Sequence, residues 1–321
     1  MPTGSNWSMD KSTGGRARIS AFTFLRNGIR FGYPFVESIR SALPLVDEYV
    51  IALGDCDDGT REALEAIDDS RIRIVSTQWN EAMTDRGFVY GQQKMIAHYC
   101  CRHEWALYLE GDEILHERDI AMIREAVDAA EGDPRVEAFA FRYHHFYGSP
   151  EWVAIGPGWY RTAVRMIRNS LRSYSPDGLF FTVSDRGNKR SRYPRAIVLP
   201  CHIHHYGHVR LADSMTDKVR SVARYWGQEA DFSGYAIDSR LLRRFDGSHP
   251  SAIHGWLEAH AVAGFEPDPA HVPSGRERRH VLQMRIESLL GVDFSRRHYS
   301  RLGEGIEAIR REPLHPAGDA A

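Results

Sequence analysis

No run of about 18 consecutive apolar residues occurs in the chain, so no segment reads as a membrane-spanning helix. Cysteine is scarce. Cys56, Cys100, Cys101 and Cys201 form no CxxC pair and no spacing of the secreted kind. That excludes a disulfide framework and points to a reduced, cytosolic setting. Charge of one sign is lacking as well: 41 Lys and Arg stand against 43 Asp and Glu, a formal net charge of -2. Such a balance argues against a general binder of nucleic acid or other polyanions. There is no internal repeat, and no low-complexity tract away from the two ends. What remains is an ordinary soluble composition, 42% hydrophobic and 26% charged over 321 residues. This is enough for one large α/β domain with a smaller appendage. Residues 1–18, rich in Ser, Gly and basic side chains without an apolar segment, read as a disordered tail rather than a signal peptide. The end from Glu312 is expected to fray.

Short apolar runs alternate with helical periodicity through the first third of the chain. ISAFTFL (residues 19–25) reads as a buried strand closed by the turn signal Arg26-Asn27-Gly28. Residues 33–43 have helical spacing, 48–53 form a second apolar strand, and GDCDDGT (54–60) is a loop feeding a helix through Ile67. Residues 72–76 are a third strand, 87–103 a helix, and 105–109 a fourth strand. This order implies an α/β fold with a doubly wound, mostly parallel sheet. Ligands of such sheets bind beyond the carboxyl ends of the strands. Further on, 117–130 reads as a helix, 136–147 as an alternating strand of an antiparallel addition, and 148–158 as a loop. Strands are expected at 161–167, 179–183 and 197–206, with a polar loop at 169–178. From 211 to 321 the pattern is helical, at roughly 214–226, 239–245, 252–262 and 276–290.

The stretch with most chemistry is WALYLEGDEILHE (105–117). Its apolar strand runs straight into Glu110-Gly111-Asp112-Glu113. Carboxylates crowded at one strand end repel each other unless a cation sits among them. Hard divalent ions that bridge to phosphate oxygens are the usual occupants, and Gly111 would permit close approach. The same residues also suit a solvated acidic turn leading into a helix. Asp55 ends the second strand and could accept a hydrogen bond from a nucleobase, while Asp57 and Asp58 suit helix capping. Gln92, Gln93 and Lys94 lie on a helix whose start faces the same edge. Lys94 could neutralise a diphosphate, or simply be a surface lysine. On the strand ending HIHHYGH, His202 and His204 share one face and His205 takes the other, which makes His205 the imidazole able to reach the acids. HIHH also begins like the HxHxDH of metallo-hydrolases, but Tyr206 and Gly207 stand where that motif needs Asp and His, which disfavours a zinc hydrolase.

ISAFTFLRN, the loop GDCDDGT, GQQKMIA and YLEGDEILHE, in that order and spacing, resemble a bacterial glycosyltransferase of family 2 with the GT-A fold. The resemblance covers residues 19–210 and implies a nucleotide-sugar and metal-binding catalytic domain, followed by a helical region at 211–321. It implies Mn²⁺ or Mg²⁺ held by Glu110 and Asp112, with His205 completing the metal shell. Donor binding would involve Thr23, Arg26, Asn27, Asp55, Gln92, Gln93, Lys94, Glu110 and Gly111. The donor would be a UDP-, GDP- or dTDP-sugar, and the acceptor a hydroxyl, as in polysaccharide biosynthesis. Two positions depart from the family pattern: Glu110 stands where Asp is usual, and Met95 where Asn often follows the Gln-basic pair.

An inverting transferase needs one carboxylate to take the acceptor proton. Asp177, in SPDG, is the first choice, with Asp185 and Glu151 as alternatives, although Pro-Asp-Gly is also an ordinary turn. Tyr143, Phe146, Tyr147, Trp152 and Trp159 could stack on an acceptor sugar or fill the core. A sugar nucleotidyltransferase is a second reading, but Arg26-Asn27-Gly28-Ile29-Arg30 is a poor phosphate loop. A non-catalytic carbohydrate-binding protein is a third. The C-terminal helices could shape the acceptor pocket, dock at the inner face of the membrane or build a homodimer.

Overall fold

Strands that are apolar on both sides need cover on both sides, and the chain supplies it. The computed structural model describes residues 16–185, 190–260 and 264–310. Its first third alternates as read: Ile19–Leu25 (β1), Phe35–Ala42 (α1), Glu48–Leu53 (β2), Thr60–Glu65 (α2), Ile72–Ser76 (β3), Phe88–Tyr99 (α3) and Trp105–Tyr108 (β4). Alternate residues of each strand belong to two different cores. Ala21, Ile51 and Leu107 pack with Ile39 of α1, while Phe22, Val50 and Ala106 pack with Ala97 of α3.

The remaining elements are Glu113–Leu115 (β5), Ile120–Ala130 (α4), Ala138–Tyr147 (β6), Ser149–Ala154 (β7), Thr162–Arg168 (β8), Ser173–Tyr174 (β9), Thr182–Ser184 (β10), Ser191–Arg192 (β11) and Arg195–His208 (β12). After them come Ala212–Tyr225 (α5), Leu242–Arg244 (β13), His254–His260 (α6), Gly275–Leu290 (α7), Ser300–Glu304 (β14) and Glu307–Arg310 (α8). In the large sheet β3, β2, β1 and β4 are parallel neighbours. The antiparallel addition starts at β8, which joins β4 to β6, and β6 then pairs with the parallel β12. Chain order runs outward from β1 through β2 to β3, and then returns to β4 on the other side of β1. The carboxyl ends of β1 and β4 therefore flank a crevice.

Four local readings differ from the structure. Residues 148–158, read as a loop, contain β7, which turns back on β6 through Gly148 at φ 74°. Residues 239–245, read as a helix, are one 3₁₀ turn followed by β13, which pairs with β7. The acidic turn leads into β5 rather than directly into a helix, and the exposed strand β14 pairs with β12. β5, β13 and β14 are each fixed by a partner distant in the chain, and β7 is held between its hairpin neighbour β6 and the distant β13, so local periodicity does not reveal them. The sheet also continues past residue 210 through β13 and β14. At the start, Ala17 is buried and the Arg18 amide donates to Glu104, so order begins before residue 19. Residues 1–15, 261–263 and the end from Glu312 lie outside the described residues. No helix among the described residues is long and apolar enough to cross a membrane.

Candidate functional site

Below β4 the chain makes a tight turn through Glu110, Gly111 and Asp112. The Glu113 amide donates to the Glu110 carbonyl at 3.0 Å, and a Cβ on Gly111 would lie 2.8 Å from Leu25. The turn delivers β5 to β12 with Glu113 opposite His205, and the Tyr206 amide donates to the Asp112 carbonyl at 2.9 Å. That register sets His205 beside the acids. Ligand atoms of Glu110, Asp112 and His205 all lie within 4.8 Å of one another.

The acids are not left to repel each other. Glu113, fully buried, accepts from Arg165 Nε at 2.9 Å and from the Tyr143 hydroxyl at 2.8 Å. Arg165 also reaches Glu110 Oε1 at 2.8 Å. Asp112 Oδ2 accepts from Arg210 and from Lys218, both at 2.9 Å. Three carboxylates thus face three protein cations. The cations that let these acids coexist include three of the protein's own, Arg165, Arg210 and Lys218. Burial pushes the Asp112 carboxyl up, but Lys218, His205 and Arg210 outweigh it and hold it well below the carboxylate range. Burial, with Glu113 adding to it, raises the Glu110 carboxyl. Burial also brings the Lys218 ammonium down to about 8.

The case for a metal rests instead on His205. His145 Nε2 lies 2.9 Å from the Tyr160 carbonyl, which can only accept, so that nitrogen carries the proton. Burial, then His205, hold His145 well below the ordinary histidine range, so its ring is neutral and Nδ1 is an acceptor. His205 Nδ1 therefore donates across the 2.8 Å contact between the two rings. His205 Nε2 is then turned toward Asp112 Oδ1 at 3.5 Å. Two electron-rich atoms held face to face need a cation between them, a proton or a metal ion. The donor set of two carboxylates and one imidazole fits a divalent metal.

The site opens into a cavity of about 360 Å³ between the ends of β1 and β4 and helix α5. Its walls include Arg26, Asn27, Glu110, Gly111, Asp112, Asp177 and His205, so the structure brings these sequence candidates together. Asp177 Oδ1 accepts from the Leu179 amide at 2.9 Å, and Oδ2 has no hydrogen-bond partner among the described residues. Aromatic walls come from Trp79, Tyr90 and Tyr225, whose ring centroids lie 5.4–5.5 Å apart. Arg26 lies over Trp79 and donates to the Tyr225 hydroxyl at 3.0 Å.

The other candidates lie outside the cavity lining. Thr23 is buried with its hydroxyl unpartnered. Asp55 is exposed, and its contact with the site is a backbone one, its carbonyl accepting from Arg26 Nε at 3.3 Å. Gln92 is exposed, and Gln93 donates to the Gln78 carbonyl. Lys94 is fully buried: its Nζ donates to the Gly178 carbonyl at 3.0 Å and lies 3.9 Å from the ring centroids of Tyr108 and Phe181. Burial and Arg165 hold its amine well below the usual lysine range, which corrects its assignment to a diphosphate. Asp185 is paired with Arg192, and Glu151 is an exposed residue of β7; neither lines the cavity, which corrects both as alternative bases.

Sequence reasoning missed Arg165, Arg210, Lys218 and His145. Arg165 left a signal: a charged residue inside the apolar alternation TAVRMIR demands a buried counter-charge. Lys218 left little: it stands at the edge of the apolar stripe Met215, Val219 and Val222 of α5, where a lysine ordinarily runs out to solvent.

No family model matches the chain, and no curated protein matches it. It is similar to the structure of mannosyl-3-phosphoglycerate synthase from Rubrobacter xylanophilus at 18% identity and TM-score 0.29, over 40% of this chain and 41% of that one. It is similar to S. aureus TarS residues 1–349 at 12% identity and TM-score 0.32, over 48% and 47%. The third is glucosyl-3-phosphoglycerate synthase from Mycobacterium tuberculosis, in complex with Mn²⁺, UDP and phosphoglyceric acid. It matches at 15% identity and TM-score 0.29, over 40% and 43%. The matched part is less than half the length of each of these chains. Likeness at these TM-scores does not extend to function.

Proposed function

We propose that the chain is a metal-dependent, inverting glycosyltransferase of GT-A type that moves a sugar from a nucleoside diphosphate to a hydroxyl acceptor. The observation that carries this reading is the meeting of Glu110, Asp112 and His205 with Asp177 in one cavity beyond β1 and β4. The sequence resemblance to family 2 motifs supports it independently. Glu110, Asp112 and His205 would hold Mn²⁺ or Mg²⁺, and such an ion would stabilise charge on the leaving diphosphate. Lys218, paired with Asp112, and Arg26, paired with Glu81, line the same cavity and would have to turn from those acids to meet a phosphate. Trp79, Tyr90 and Tyr225 offer ring faces to a base or sugar. The free Oδ2 of Asp177 takes the proton of the acceptor hydroxyl as the new C–O bond forms. In the same in-line displacement the bond from the anomeric carbon to the phosphate oxygen breaks, and the nucleoside diphosphate leaves with that electron pair.

A nucleotidyltransferase would cradle phosphates with free amides after the first strand. Here the amides of Asn27, Ile29 and Arg30 are spent on Cys56, Thr60 and Asp58. Those of Phe31, Gly32 and Tyr33 are spent within the turn. The test is to incubate the protein with UDP-, GDP- and dTDP-sugars and Mn²⁺ and identify what is released. The expected product is a nucleoside diphosphate, lost in Asp112→Asn and Asp177→Asn with the fold retained. Release of pyrophosphate from a nucleoside triphosphate and a sugar phosphate would overturn the reading, as would unchanged turnover in Asp112→Asn.

A further inference from the structure

Helix α7 and the segment after it carry a surface that the cavity does not use. The helix is held by its inner side: Val281 and Glu287 are buried, Glu287 pairs with Arg161, and Glu277 completes a capping box with Ser274. Its outer side is uncovered. Leu282, Ile286, Leu289 and Leu290 are spaced i, i+4, i+7 and i+8 and are 57%, 40%, 84% and 60% exposed. That spacing lines them along one stripe. Val292 and Phe294, 41% and 56% exposed, continue the apolar surface beyond the helix. A monomeric soluble protein rarely leaves a contiguous apolar ridge of this kind uncovered.

The charges around the ridge choose its partner. Arg279 and Arg285 fall beside the apolar stripe at helical spacing, both exposed and without an ion pair among the described residues. The acids of α7 are Glu277 and Glu287, and both are spent inward. The outer side is therefore apolar and wholly cationic on a chain whose formal net charge is -2. A second copy laid on this face would set arginines against arginines with no carboxylate between them. We propose that the outer side of α7 docks on an anionic lipid bilayer. The leucines enter the acyl boundary, and the arginine stems lie along them with the guanidinium groups at the headgroups.

The proposal does not depend on what the cavity binds, and its test is separate. The full chain is sedimented with vesicles of phosphatidylcholine alone and of phosphatidylcholine with phosphatidylglycerol. Binding is expected only to the anionic vesicles and should weaken as salt is raised. Arg279→Gln with Arg285→Gln should lower the partition constant by about 30-fold, and Leu289→Asp should lower it too. Thermal midpoints, which confirm folding, and ligand binding in the cavity should stay unchanged. Failure to bind either vesicle, or equal binding to both, would overturn the proposal. So would a dimer in light scattering that Leu289→Asp dissolves, since the ridge would then be covered by a second copy.

Discussion

Lys94 and Arg165 are both basic side chains enclosed by protein, and they do opposite things. Arg165 is held between Glu110 and Glu113, so removing it leaves Glu113 fully buried without its cation and Glu110 unpaired at the cavity wall. Arg165→Met should therefore lower stability by about 3–5 kcal/mol in urea unfolding, the usual cost of breaking a buried pair from one side. A loss below about 1 kcal/mol would mean that water reaches those acids. Lys94 has no carboxylate partner, and its amine serves one carbonyl, that of Gly178, next to Asp177. Lys94→Met should leave nucleoside diphosphate affinity unchanged while slowing turnover, because the substitution frees the segment that carries Asp177. A tenfold loss of affinity, about 1.4 kcal/mol, would return Lys94 to the phosphates.

At the scale of elements, much was legible. The apolar runs gave β1 to β4, and the alternation along the HIHHYGH segment put His205 on the face opposite His202 and His204. Glu110, Asp112 and His205 could be grouped because strand periodicity is local and strong. What was not legible is pairing. β5 exists because β12 lies beside it, and β13 because β7 does, and neither partner is close in sequence. The same limit hid the cations: nothing in the sequence of α5 says that Lys218 reaches Asp112. Histidines of α3, β6 and β12, and His249 in the segment after β13, also sit partly or wholly out of water. Burial brings His98, His202 and His249 down to about 4, and His144 to about 3. The unfolded chain takes up these protons near pH 6.5, and the folded chain only near pH 4. Stability should thus be full above about pH 6.5 and fall steadily as pH drops toward 4. Urea midpoints measured across that range would check this. His98→Phe should flatten the fall, because both ring nitrogens of His98 lack partners and its ring stacks on Phe22. A midpoint independent of pH would contradict it.

At the scale of the whole molecule, the sheet and its helices converge on one edge. β1 contributes Arg26 and Asn27 from the turn that follows it, and the turn after β4 contributes Glu110 and Asp112. β12 adds His205, and α5 closes the cavity with Lys218 and Tyr225. The central claim is that a divalent metal and a nucleoside diphosphate complete this cavity together. Calorimetric titration of UDP, GDP and dTDP, with and without Mn²⁺, tests it most directly. One of the three should bind only when Mn²⁺ is present, and His205→Ala should abolish that metal dependence while the protein still unfolds cooperatively. Failure of all three to bind, or binding equally tight without metal, would contradict the account.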